Sequence, residues 1–121
     1  MKELLEFLNK STNEYLACKN ISEILKNAGF IELKSNEIWN LKKGACYFTQ
    51  KDQSSLIAFK IGLNCDYNGF NIVASHLDSP NLKIKTHGVM LQSKYTMLDT
   101  EVYGGPILQT WLDRPLSISG R

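Results

Sequence analysis

The chain opens with two stretches in which apolar residues recur at helical spacing, and from residue 45 onward the spacing shortens to that of strands. Residues 2–10 interleave Leu4, Leu5, Phe7 and Leu8 with Lys2, Glu3 and Glu6, which predicts a short helix and lacks the continuous apolar core of a signal peptide. Ser11 or Thr12 then caps a second helix, with Ser11 and Glu14 at capping-box spacing. Cys18, Ile21, Ile24, Leu25 and Ala28 follow at helical spacing, and Gly29 is placed to stop the helix. Tyr15 and Cys18 on this stripe read as core residues.

Residues 45–50 and 55–61 are β-type runs joined by a polar hairpin loop, Lys51-Asp52-Gln53-Ser54. A turn-rich link over 64–69 contains Asn68-Gly69, a pair suited to positive φ. Residues 70–75, centred on Ile72-Val73-Ala74, predict a fully buried strand, and 82–86 alternates apolar and basic residues as an edge strand does. Residues 87–94 read as a polar loop. Segments 95–103, 107–112 and 116–119 read as short strands broken by Gly104-Gly105-Pro106 and Arg114-Pro115, with no helix among them. A strand buried on both faces needs more covering helix than the two N-terminal helices supply. The chain is therefore expected to form part of a domain, to expose apolar surface and to fold poorly alone.

Composition changes this picture little. Of 121 residues, 43% are hydrophobic and 21% charged, as in a soluble globular chain. The 14 basic and 12 acidic residues leave a net charge of +2. That balance points away from nucleic acid or an anionic membrane as a partner, and no apolar run approaches the roughly 20 residues that span a bilayer. Cys18, Cys46 and Cys65 are widely spaced and odd in number, with no Cys-x-x-Cys pair. They read as reduced structural thiols of a cytoplasmic protein.

The candidate chemistry lies in Ser75-His76-Leu77-Asp78-Ser79-Pro80. A histidine at the carboxyl end of a strand, with a carboxylate two residues on, suits a metal site. The strand holds the imidazole, and a carboxylate can accept its second N–H. On the residues alone, a hydrogen-bonded core histidine is the favoured reading of His76, and an Asx-type cap of the strand end is the corresponding reading of Asp78. His87 reads as solvent-exposed and Trp39 and Trp111 as packing residues; Asp99, Glu101 and Asp113 are not taken as further ligands, Glu101 and the Asp113-Arg114 pair reading as structural. Gly104-Gly105-Pro106 lacks the strand-to-helix context of a phosphate loop and reads as a turn.

Two segments carry a resemblance. His76-Leu77-Asp78-Ser79-Pro80 is similar to the metal-binding His-x-Asp-Ser-Pro motif of the M18 metallo-aminopeptidases, the aspartyl aminopeptidase and aminopeptidase I type. Glu101-Val102-Tyr103-Gly104-Gly105, followed by Thr110-Trp111-Leu112-Asp113-Arg114 and Gly120-Arg121, resembles that family's second signature in order and separation. Pro106 stands where some relatives carry a third glycine.

The resemblance implies an α/β fold: the N-terminal part of a mixed-sheet zinc-exopeptidase catalytic domain over residues 1–89, then the start of an inserted β-rich assembly domain over 90–121. It implies a zinc-dependent aminopeptidase with two zinc ions per site, replaceable by manganese or cobalt, peptide substrates and a homo-oligomeric assembly. His76 would be a zinc ligand, and Asp78 the catalytic carboxylate orienting it. The family's bridging carboxylate, general-base glutamate and remaining ligands lie downstream of this region, whereas a catalytic zinc takes three protein ligands and a water. The chain alone is therefore expected to be an inactive fragment. The alternative is a truncated, non-catalytic paralogue that acts as an assembly or binding partner. A small β-rich binding module is a further reading, disfavoured by the unfinished sheet.

Overall fold

A computed structural model of the chain describes residues 1–64 and 69–121. The expectations placed on Cys65 and Asn68 lie outside the described residues. The fold is mixed α/β, in two compact units. Residues 1–77 with 119–121 form the first, and residues 78–118 the second.

The first unit begins with helix α1 (Lys2–Lys10) and helix α2 (Glu14–Asn27). Asn13, not Ser11 or Thr12, caps α2: its side chain accepts the Leu16 N–H at 2.9 Å. Capping-box spacing favoured Ser11, but Ser11 closes α1 instead, and its Oγ accepts from Asn20 Nδ2 at 3.0 Å. Thr12 shares a hydroxyl hydrogen bond with Ser119 at 2.7 Å, and Asn13 Nδ2 donates to the same Ser119 Oγ at 2.6 Å. Arg121 lies 4.1 Å from the Tyr15 ring centroid, so the chain's last residues belong to this end of α2. The helix stops as expected. Gly29 N–H bonds to the Lys26 carbonyl and Phe30 N–H to the Leu25 carbonyl, a Schellman ending with Gly29 at φ 84°.

Strands β1 (Ile31–Glu32), β2 (Cys46–Lys51) and β3 (Ser55–Lys60) form a sheet in that order. The β2–β3 hairpin is the expected one, its turn using positive φ at Asp52 and Gln53. The parallel pairing of β1 with β2 is an addition, too short to leave a periodic signal. Alternation along β2 splits its aromatic pair between the two faces. Phe48 and Gln50 meet α2, where Cys18 Sγ donates to Gln50 Oε1 at 3.3 Å. Tyr47 packs against Phe59, with ring centroids 5.8 Å apart, and Trp39 lies 6.5 Å from the same ring. The buried core is Ala17, Cys18, Tyr47 and Phe48, with Ser22 bonding back to the Cys18 carbonyl. Burying the Phe48 side chain contributes on the order of 1.5–3 kcal/mol. Burial pushes the Cys18 thiol pKa up, against a smaller lowering from Ser22, which disfavours the reactive thiolate. Cys18 and Cys46 are both unbridged.

Residues 70–75 overturn an expectation. They form no strand, and Phe70, Ile72 and Val73 are 92%, 80% and 100% exposed. A fully apolar run becomes a buried strand only where flanking strands satisfy its backbone and layers cover both faces. Among the described residues neither sheet pairs with it.

The second unit is a long hairpin of β4 (Asn81–Gln92) and β5 (Tyr95–Tyr103). It forms its own two-stranded sheet, so 82–86 does not extend the sheet of β2 and β3. Residues 87–92, expected as loop, belong to β4, while Ser93 and Lys94 turn the hairpin with positive φ at both positions. The composition hid this strand because its ladder is interrupted: pairing passes from Ile84↔Thr100 to Val89↔Leu98, with His87 at φ 62°. Gly88 is buried there, and a Cβ would lie 2.7 Å from the Asp99 carbonyl oxygen, so no larger residue fits. His87 is exposed, as expected. Residues 107–112 contain a 3-10 turn (Leu108–Thr110) in place of the expected strand, because Thr110 Oγ1 and N both bond to the Ile107 carbonyl. Residues 116–119 form no strand either. Residues 89 and 90 both lie within β4. No helix among the described residues is long and apolar enough to cross a membrane.

Replacing Asn13 by alanine is expected to cost about 1 kcal/mol through loss of the α2 cap, read as a lower urea midpoint by circular dichroism. A second expectation concerns acid. The hydrogen bond from Lys26, 2.7 Å from Glu32 Oε2, lowers the Glu32 pKa against a smaller opposing effect of burial. A lowered folded value means the pair's contribution is complete above the unfolded glutamate pKa of about 4.3 and is lost as pH falls through the folded value. Glu32→Gln is therefore expected to flatten the acid limb of stability against pH, measured by urea unfolding at stepped pH.

Candidate metal centre

His76 and Asp78 lie, in sequence, on the segment without regular structure between the two sheets. His76 belongs to the first unit and is exposed, while Asp78 is the first residue of the second and is half-buried. His76 does not end a strand, because the run before it forms none.

Asp78 is held within the second unit. The Tyr103 hydroxyl donates to Asp78 Oδ2. Register explains why this tyrosine reaches it: Tyr103 ends β5 opposite Asn81, the first residue of β4, three positions after Asp78 in sequence. Two further contacts fix the intervening residues. Asn81 Nδ2 donates to the Ser79 carbonyl at 3.1 Å, and Pro80 lies over Gly104, where a Cβ would come within 3.3 Å of the proline Cβ. Gly104 also stands at φ 72°, a conformation that L side chains resist. The Gly104-Gly105-Pro106 turn is thus a backbone requirement, as expected. Tyr103 was not among the expected site residues. The available signal was its place at the end of an alternating run and inside the second signature.

The structure places the other carboxylates as follows. Asp99 pairs with Lys85 at 3.0 Å, and Glu101 faces Lys83 across the ladder. Arg114 Nη1 donates to the Thr110 carbonyl at 3.3 Å, and Asp113 occupies a turn at φ 54°.

Among the described residues no three His, Cys, Asp or Glu side chains gather closely enough to hold a metal ion. His76 brings an imidazole and Asp78 a carboxylate, each a side-chain type that zinc accepts as a donor. They do not amount to a complete coordination set.

Comparison with known proteins bears on the same residues. A model of the family described as "Aminopeptidase I zinc metalloprotease (M18)" matches residues 7–121. The chain is 45% identical over 121 residues to a probable M18 family aminopeptidase 2 of Clostridium novyi, covering 98% of this chain and 28% of that protein. It is 40% identical over 121 residues to the aspartyl aminopeptidase of Dictyostelium discoideum, covering 99% of this chain and 25% of that protein. The chain thus spans about a quarter of the length of these curated relatives. Its fold resembles that of mApe1 from Chaetomium thermophilum with a TM-score of 0.87 and 29% identity, covering 93% of this chain and 26% of that one. The S. cerevisiae mApe1 dodecamer gives a TM-score of 0.84 and 25% identity, covering 93% of this chain and 27% of that one.

Gly104→Ala combines a positive φ with crowding against Pro80. It is expected to destabilise the second unit by about 1–2 kcal/mol. Hydrogen exchange would show this as faster exchange of the amides of β4 and β5.

Proposed function

The chain belongs to the aminopeptidase I zinc metalloprotease (M18) family, and from that membership we propose that it is the N-terminal part of a zinc aminopeptidase that removes N-terminal residues from peptides. The observation that carries the reading is the joining of the two signature segments. Tyr103, in Glu101-Val102-Tyr103-Gly104-Gly105, bonds to Asp78, in His76-Leu77-Asp78-Ser79-Pro80, across 25 residues of sequence.

In this reading His76 is a zinc ligand and Asp78 the carboxylate that orients its ring. The remaining ligands and the general-base glutamate come from sequence beyond these residues, in a site of two ions where manganese or cobalt can replace zinc. Bound metal would polarise the scissile carbonyl and lower the pKa of a water. This chain's own contribution would be to hold one imidazole in position, and alone it would be inactive. Residues 1–89 would belong to the catalytic domain and 90–121 would open an inserted β-rich domain, with the change of domain carried along the β4–β5 hairpin. A homo-oligomer is the proposed assembly, supported by the dodecamer formed by the S. cerevisiae relative. A cytoplasmic setting is proposed from the unbridged Cys18 and Cys46.

The reading is tested on the full-length protein containing this chain, loaded with zinc and given peptides with acidic or neutral N-terminal residues. Hydrolysis is expected, with His76→Ala lowering zinc content and reducing kcat by at least about 100-fold. Undiminished zinc and activity in that variant would remove His76 from the site. A native intact mass equal to the 13.7 kDa of this chain would instead favour the truncated, non-catalytic paralogue.

A further inference from the structure

We propose that residues 119–121 act as a strap that holds the α1–α2 turn and the first turn of α2 in place, with Ser119 orienting the capping amide of Asn13 and Arg121 stacking on Tyr15. All of these residues belong to the first unit. The assignment is independent of the metal reading.

An asparagine caps a helix with its oxygen end alone, because the amide nitrogen is a donor and cannot accept a backbone N–H. Asn13 Oδ1 accepts from the Leu16 N–H at 2.9 Å, while Nδ2 of the same amide donates to Ser119 Oγ at 2.6 Å. Engaging the nitrogen end from outside the helix keeps the oxygen end turned toward Leu16. A hydroxyl has one O–H and two lone pairs, so Ser119 can serve Asn13 and still share a hydrogen bond with Thr12 at 2.7 Å. Arg121 adds a third point of attachment. Its guanidinium carbon lies 4.1 Å from the Tyr15 ring centroid, within the range at which a cation is attracted to the ring face. Helix α1 buries no residue that could fix the turn from the other side. The chain rejoins the first unit at this strap after residues 78–118. Gly120-Arg121, the end of the second signature, thereby gains a conformational role: docking of the strap and capping of α2 are coupled.

Hydrogen exchange of the full-length protein, followed on peptides covering residues 11–18 and 46–60, tests the strap. Ser119→Ala is expected to speed exchange over residues 11–18 by about two- to tenfold, the effect of losing one hydrogen bond. Arg121→Ala is expected to speed it by about two- to fivefold, with residues 46–60 unchanged in both variants. On an Asn13→Ala background Ser119→Ala is expected to have a smaller effect, because no amide remains to be oriented. Exchange over residues 11–18 equal to that of the parent in both variants would overturn the strap. So would equal acceleration over residues 46–60, which would mark a general loss of stability. An undiminished effect of Ser119→Ala in the absence of Asn13 would overturn the orienting role of Ser119.

Discussion

The pairing of Asn81 with Tyr103 decides the geometry at the open end of the second unit's hairpin. Side chains alternate across a ladder, so a slip of one residue would turn Tyr103 to the opposite face and take its hydroxyl from Asp78. The interruption after Ile84 does not disturb this register, because it lies farther along the hairpin. The four pairs from Asn81↔Tyr103 to Ile84↔Thr100 form an uninterrupted base beside the carboxylate. Lys83 opposite Glu101 and the Lys85–Asp99 ion pair accompany that base. Exposed pairs of this kind contribute at most about 1 kcal/mol each, so backbone pairing and the Pro80–Gly104 contact carry most of the definition.

The first unit depends on a different constraint, the burial of Phe48 and Cys18 between α2 and the small sheet. Lys26 links the same elements: its ammonium lies 5.9 Å from the Phe48 ring centroid and 2.7 Å from Glu32 Oε2. One ammonium thus lies over the core aromatic and pairs with β1. Beyond β3 the apolar run through Ile72 and Val73 lies exposed. Apolar sequence without pairing partners is a common source of false strand assignments, since hydrophobicity supplies a reason for burial but no hydrogen bonds.

Family membership and local geometry address different questions about the site. Membership names the metal, in the family's own description as zinc metalloproteases. The geometry joins Asp78 to Tyr103 within the second unit, since the ladder brings Asn81 opposite Tyr103 and the tyrosine bonds to the aspartate.

Local periodicity and turn chemistry determined both helices, the Gly29 ending, the β2–β3 hairpin and the strand 95–103, because each depends on neighbours within a few residues. Two motifs likewise sufficed for the family. What only the tertiary structure decided involved competition or distance. Asn13 took the cap from Ser11 because Ser11 was needed to close α1. Residues 87–92 became strand because Gly88 let β5 pass close by, a contact no polarity pattern displays. Residues 70–75 failed as a strand for want of a partner. The bond from Tyr103 to Asp78 depends on ladder register, which a one-dimensional pattern of apolar and polar residues constrains only to a face, not to a partner.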